Sequence, residues 1–214
     1  MTPIVSIVGK SKSGKTTLIE ELIRELKSRD YRVTTVKHTP GGVTFDEPDK
    51  DSWRHIQAGS EATVVASPSE VVLIKPMAKE PTLGDIARLL GEDYDIILAE
   101  GFKQGDAPKI EVYRKDAGPP LSDIKKIIAI VTDEPLESKI RQFSTQDIKG
   151  LADLLEKGFI KPQQERISLC VNEAPVVLSS FPKDIITNIM VAIATSLKGV
   201  EKINSLDVFL RRKK

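Results

Sequence analysis

Gly9-Lys10-Ser11-Lys12-Ser13-Gly14-Lys15-Thr16 has the spacing G-x-x-x-x-G-K-[ST] of a phosphate-binding P-loop. Ahead of it, Ile4-Val5-Ser6-Ile7-Val8 is short, largely β-branched and bounded by Pro3 and Gly9, which predicts a buried strand. Behind it, Leu18, Ile19, Leu22, Ile23 and Leu26 fall on one face of a helix. Strand, loop and helix in that order are the context in which the motif holds a nucleotide, and they decide for an α/β domain.

The residue types follow from the charge of such a ligand. A polyphosphate needs open main-chain amides, which a helix N-terminus supplies. Glycines at 9 and 14 let the backbone approach where a Cβ would stand in the way. The Lys15 ammonium then reaches the outer phosphates, and the Thr16 hydroxyl is placed to ligate Mg²⁺. Gly9, Lys10, Ser11, Lys12, Ser13, Gly14, Lys15, Thr16 and Thr17 are the expected nucleotide-binding residues.

Composition removes several alternatives. Lys and Arg number 32 against 31 Asp and Glu, a net charge of +1, so no global field points to nucleic acid or an acidic membrane as partner. With 40% hydrophobic and 29% charged residues, the 214-residue chain has the make-up of a globule with room for one α/β domain and a smaller appendage. Its single cysteine, Cys170, excludes an internal disulfide and lies in an apolar run, where a buried thiol is expected. The apolar stretch 185–197 is too short to span a bilayer, and a strand begins within three residues of the start, so the expectation is a cytoplasmic protein.

Residues 32–36 predict a second strand ending at Lys37-His38-Thr39. Ligand loops of a parallel sheet lie at the carboxyl ends of its strands, so Lys37 and His38 stand on the same edge as the P-loop. Asp46 and Asp51, in an acidic stretch before a short helix, serve either Mg²⁺ and its water shell or the cap of that helix, for which Asp51 or Ser52 is placed. Residues 62–66 and 70–74 predict a hairpin joined to the parallel core, and 82–90 a helix capped by Thr82. Asp95-Ile96-Ile97-Leu98-Ala99-Glu100-Gly101-Phe102-Lys103 reads as a buried strand with an acid at each end. Only its carboxyl end faces the P-loop, so Glu100 is the expected catalytic residue, beside Mg²⁺ or a water near the γ-phosphate.

Strands at 108–114 and 127–131 follow. Lys103, Lys109 and Arg114 lie near strand ends and join Lys37 and His38 as candidates for a second anionic ligand. Asp133 occupies the place where guanine-specific P-loop proteins keep a base-reading aspartate, although the full Asn-Lys-x-Asp pattern is missing. A helix over 145–157, capped by Thr145 and stopped by Gly158, leads to a linker at 159–165. A hairpin, a helix over 182–197 and a strand over 203–210 make a β-β-α-β end. The expected architecture is a P-loop NTPase-like three-layer domain with a mostly parallel sheet, residues 1–158, plus a small α+β appendage, residues 166–214.

These pieces together resemble the MobB family. The resemblance covers roughly residues 4–157 and rests on the P-loop, on Val36-Lys37-His38-Thr39, on Lys50-Asp51-Ser52-Trp53-Arg54-His55 with Ala58-Gly59, and on Glu100-Gly101-Phe102-Lys103 and Pro108-Lys109-Ile110-Glu111-Val112-Tyr113-Arg114. It implies GTP and Mg²⁺ binding, weak hydrolysis, a homodimer, and work beside a MobA-type nucleotidyltransferase that attaches GMP to molybdopterin. Asp49 stands where the family often has glycine, and nothing is implied for residues beyond 158. The competing reading is a P-loop small-molecule kinase, which would use an arginine-rich lid that the sequence does not display. A ParA-like ATPase ranks last, since Ser11 and Ser13 replace the glycines that accompany its extra lysine.

Overall fold

A computed structural model describes residues 2–42, 46–163, 167, 169–171, 174–176, 178–200, 203, 206 and 208. β1 (Ile4–Val8) runs through the P-loop into α1 (Lys15–Ser28). Then come β2 (Val33–Lys37), α2 (Asp51–Gln57), β3 (Thr63–Ala66), β4 (Val71–Ile74) and α3 (Leu83–Leu90). β5 (Ile96–Glu100), β6 (Lys109–Val112), β7 (Ile127–Val131), β8 (Gln142–Phe143) and α4 (Ile148–Leu155) complete a first compact unit, Thr2–Gln164. β9 (Leu169–Val171), β10 (Ala174–Val176) and α5 (Ser180–Thr195) lie in a second, Glu165–Lys214.

Six strands form one parallel sheet in the order β2-β5-β1-β6-β7-β8. The strand that carries the P-loop is central: Ile4 pairs with Ile97 on one side and Ser6 with Lys109 on the other. The period of two sorts side chains between the faces. Val5, Ile7, Leu98, Ile110 and Val112 join the core made with Leu22 and Leu26 of α1 and Leu151 and Leu155 of α4. Each such buried aliphatic side chain contributes about 1.5–3 kcal/mol. Ser6, Lys109 and Glu111 occupy the opposite face and are buried there. The Lys109 ammonium donates to the carbonyls of Gly105 and Ala107, and Glu111 accepts from the Leu121 amide at 2.7 Å, so the loops after β5 and β6 close that face.

The end of α1 is tied to α4 by ions. Arg29 donates to Glu25, to Asp153 at 2.7 Å and to Glu156 at 2.6 Å, while Lys161 pairs with Glu156 at 2.7 Å. The hydrogen bonds from Lys161 and then Arg29 hold the Glu156 carboxyl down at about 2.

Several expected boundaries shift. β3 and β4 pair only with each other, as a separate antiparallel ribbon, and do not join the core sheet. α2 is preceded by Lys50 at its cap position, with Asp51 already inside the helix. α4 starts at Ile148, because Asp147 and not Thr145 caps it by accepting from the Gly150 amide at 3.0 Å. Gly158 does not end it: the chain continues as a π-turn over Glu156–Ile160 and a 3₁₀ turn over Lys161–Gln163, with Ile160 in the core, where a linker was expected. In the second unit β9 and β10 form the expected antiparallel pair, and α5 leaves Phe181 75% exposed. The expected last strand and the Cys170 side chain lie outside the described residues. Among the described residues no helix is long and apolar enough to cross a membrane.

Candidate functional site: the P-loop edge of the sheet

The loop between β1 and α1 folds as its glycines require. Gly14, at the cap of α1, is left-handed with φ 96° and ψ 14°. A Cβ on Gly9 would sit 2.5 Å from the Val112 carbonyl oxygen and 2.6 Å from Ser13 Oγ, so only glycine fits against β6. The Lys10 carbonyl accepts from the Ser13 amide at 3.3 Å and from Lys15 Nζ at 2.6 Å, which folds the lysine back over the cup. Ser13 is buried, and its hydroxyl has no partner among the described residues. Ser11, Lys12, Thr16 and Thr17 face solvent. The Lys10 side chain reaches Gly118, where a Cβ would stand 2.9 Å from its Nζ.

Glu100 ends β5, level with Ile7 of β1 on one side and Lys37 of β2 on the other. Its Oε2 accepts from Thr16 Oγ1 at 3.2 Å, so acid and hydroxyl meet as the sequence predicts. Burial pushes the Lys15 ammonium below the usual lysine range; Glu100 opposes that, and Lys103 and Lys37 reinforce it. Lys15, Lys37, Lys103 and Glu100 therefore share one local field. A threonine hydroxyl and one carboxylate are hard oxygen donors of the kind Mg²⁺ takes, with phosphate and water oxygens filling its other positions. Among the described residues no group of three His, Cys, Asp or Glu forms a protein-only metal cage.

His38 also belongs to this edge. Its amide donates to the Glu100 carbonyl at 2.9 Å, its ring stacks on Phe102 with centroids 4.6 Å apart, and its Nε2 lies 2.5 Å from Glu80 Oε1. Gly101 and Phe102 both have positive φ, 98° and 54°, and a Cβ on Gly101 would press to 3.0 Å from His38 Cβ. A phenylalanine in the left-handed region costs about 1–3 kcal/mol, and here it follows Glu100 by two residues. The Glu-Gly-Phe-Lys string marks this place in the sequence. The ring stack and the Glu80 partner could not be read there, since Glu80 comes 42 residues after His38.

The remaining candidates divide. Arg114 leaves β6 and lays its guanidinium 3.5–3.7 Å from the position that a Cβ on Gly14 would take. Asp133, after β7, accepts from Ser144 Oγ at 3.0 Å, the Thr145 amide at 3.0 Å and Thr145 Oγ1 at 2.6 Å. These bonds, Thr145 first, hold its carboxyl below the usual range and fasten β7 to the approach of α4. Asp46 accepts from Ser52 Oγ at 2.9 Å and from the Glu47 amide, and Asp51 pairs with Arg54 at 3.7 Å, so the contacts of both stay around α2. Lys109 corrects the reading of a surface cation: it is 0% exposed, its ammonium is used by the Gly105 and Ala107 carbonyls, and it is not offered to a second anion.

Comparison with known proteins identifies the family and the fold. The MobB family, described as molybdopterin guanine dinucleotide synthesis protein B, matches residues 4–133. The molybdopterin-guanine dinucleotide biosynthesis adapter protein of Haemophilus influenzae is 36% identical over 72% of this chain and 88% of its own length. Its counterpart in Escherichia coli is 34% identical, covering 72% and 92%. A crystal structure of molybdopterin-guanine biosynthesis protein B superposes with a TM-score of 0.59 at 28% identity, over 73% of this chain and 99% of that one. With its parallel sheet, its P-loop edge and a match spanning most of the first unit, the chain belongs to the MobB family.

Proposed function

We propose that this chain is a nucleotide-binding adapter in molybdopterin guanine dinucleotide biosynthesis, taking GTP with Mg²⁺ at the P-loop and assisting a MobA-type nucleotidyltransferase. The observation that carries the reading is the meeting of Thr16 Oγ1 and Glu100 Oε2 at 3.2 Å beside the folded-back Lys15. Amides of the loop and the Lys15 ammonium bind the phosphates, and Thr16 with Glu100 holds Mg²⁺. The ion supplies charge neutralisation at the phosphates when bound. Glu100 orients a water toward the γ-phosphate, and with no arginine-rich lid to close over it, hydrolysis is slow. Asp133 is the candidate for the base. Lys37, His38 and Lys103 form the edge at which a second anion, the phosphate of molybdopterin, is received.

Dimerisation fits the β3–β4 ribbon. Val64, Val65, Val71, Val72 and Leu73 are all exposed on it, and a lone two-stranded ribbon is marginal in water without a partner surface. Calorimetry with GTP and ATP in Mg²⁺ tests the nucleotide reading, with Lys15→Ala as control. GTP binds tighter than ATP, and the variant loses at least about tenfold in affinity. Equal affinities would remove the guanine assignment, and an unchanged variant would remove the P-loop from the site.

A further inference from the structure

Arg114 has no ion pair or side-chain hydrogen bond among the described residues, although it stands beside a loop built to hold anions. Asp133, whose carboxyl feels the Arg114 charge, has its oxygens engaged by Ser144 and Thr145. The guanidinium rests instead against Gly14, the left-handed residue at the cap of α1. Its backbone is fixed there from both sides. Two residues earlier, Val112 abuts Gly9, and the Tyr113 amide donates to the Val131 carbonyl at 2.9 Å. After it, the Arg114 carbonyl accepts from the Ala117 amide at 3.0 Å, and Lys10 of the P-loop lies over Gly118. The loop 113–118 is thus fastened to the P-loop at both ends, with the arginine between.

We infer that Arg114 is a polyphosphate ligand contributed by the loop after β6, its planar fork binding the α- and β-phosphates that P-loop amides cradle. This reassigns it from the second-anion edge to the nucleotide itself, and it rests on the nucleotide reading above. The geometry favours the inner phosphates because Lys15 and Thr16 serve the outer ones and the ion. A guanidinium suits the place better than an ammonium, since two parallel N–H groups fit two phosphate oxygens.

The test is calorimetry on the full chain with GDP and GTP, comparing wild type, Arg114→Ala, Arg114→Lys and Lys15→Ala. Arg114→Ala should lose about ten- to a hundredfold in affinity for both nucleotides alike, the loss expected for one charge-assisted contact. Arg114→Lys should recover only part, and guanidinium ion added at millimolar concentration should restore binding to Arg114→Ala but not to Lys15→Ala. Affinities within about twofold of wild type would overturn the proposal. So would a loss confined to GTP, or equal losses in both Arg114 variants with a lowered melting temperature and no rescue. A wild type that binds neither nucleotide would defeat the nucleotide reading, and this inference with it.

Discussion

Glu100 stands 3.2 Å from the Thr16 hydroxyl and inside the field of Lys15, Lys37 and Lys103, so its negative charge is the counterweight of the whole edge. Replacing it by glutamine keeps the shape and removes the charge. Glu100→Gln should bind GTP within about threefold of wild type while Mg²⁺-dependent hydrolysis falls about a hundredfold or more; phosphate release assays that find full turnover would take the acid role away from it. This pairing was legible because both partners sit beside fixed markers, one in the P-loop and one at the end of a buried apolar run. Lys109 was not legible, for a physical reason. The sequence places a charged residue at a strand end but does not say whether neighbouring carbonyls will already satisfy it, as those of Gly105 and Ala107 do for Lys109.

The elements read best where hydrophobic period and context agreed. β1, α1 and β5 are found where their apolar spacing put them, because each faces one uninterrupted core. The β3–β4 ribbon has the same alternation but no strand of the sheet beside it, and pairing partners are not encoded in alternation alone. α4 shows a second limit: Gly158 stops nothing, because Phe159 and Ile160 still pack on the core and draw the chain through a π-turn. The ionic tie of that segment to α1 gives an acid-dependent term. The Glu156 carboxyl is depressed from the ordinary 4.5 to about 2, so its contribution is complete above pH 4.5 and is lost as pH falls toward 2. Glu156→Gln should therefore flatten the decline of stability between those values, measured by urea denaturation at stepped pH. A variant with the wild-type acid slope would show that Arg29 and Lys161 gain nothing from this partner in the folded state.

At the scale of the molecule, the P-loop unit contains its own core, and the ribbon is the part of that unit least supported by it. Val65 and Val72 face each other across the ribbon, 46% and 45% exposed. For the ribbon dimer proposed above, lysines at both positions should give a monomer in sedimentation where the wild type is dimeric, and leave GTP affinity within about twofold; a variant that stays dimeric would place the interface elsewhere, and a monomeric wild type would remove the proposed dimer. The sheet order carries a consequence for how the protein is made. β1 precedes the other strands of the sheet in the chain, yet its neighbours are β5 and β6, so one of its edges waits for residue 100 to be synthesised and the other for residue 112. At translation rates of about 5–20 residues per second, a nascent chain displays an unpaired aliphatic strand for several seconds, and a chaperone that shields such strands would meet this chain before any nucleotide could.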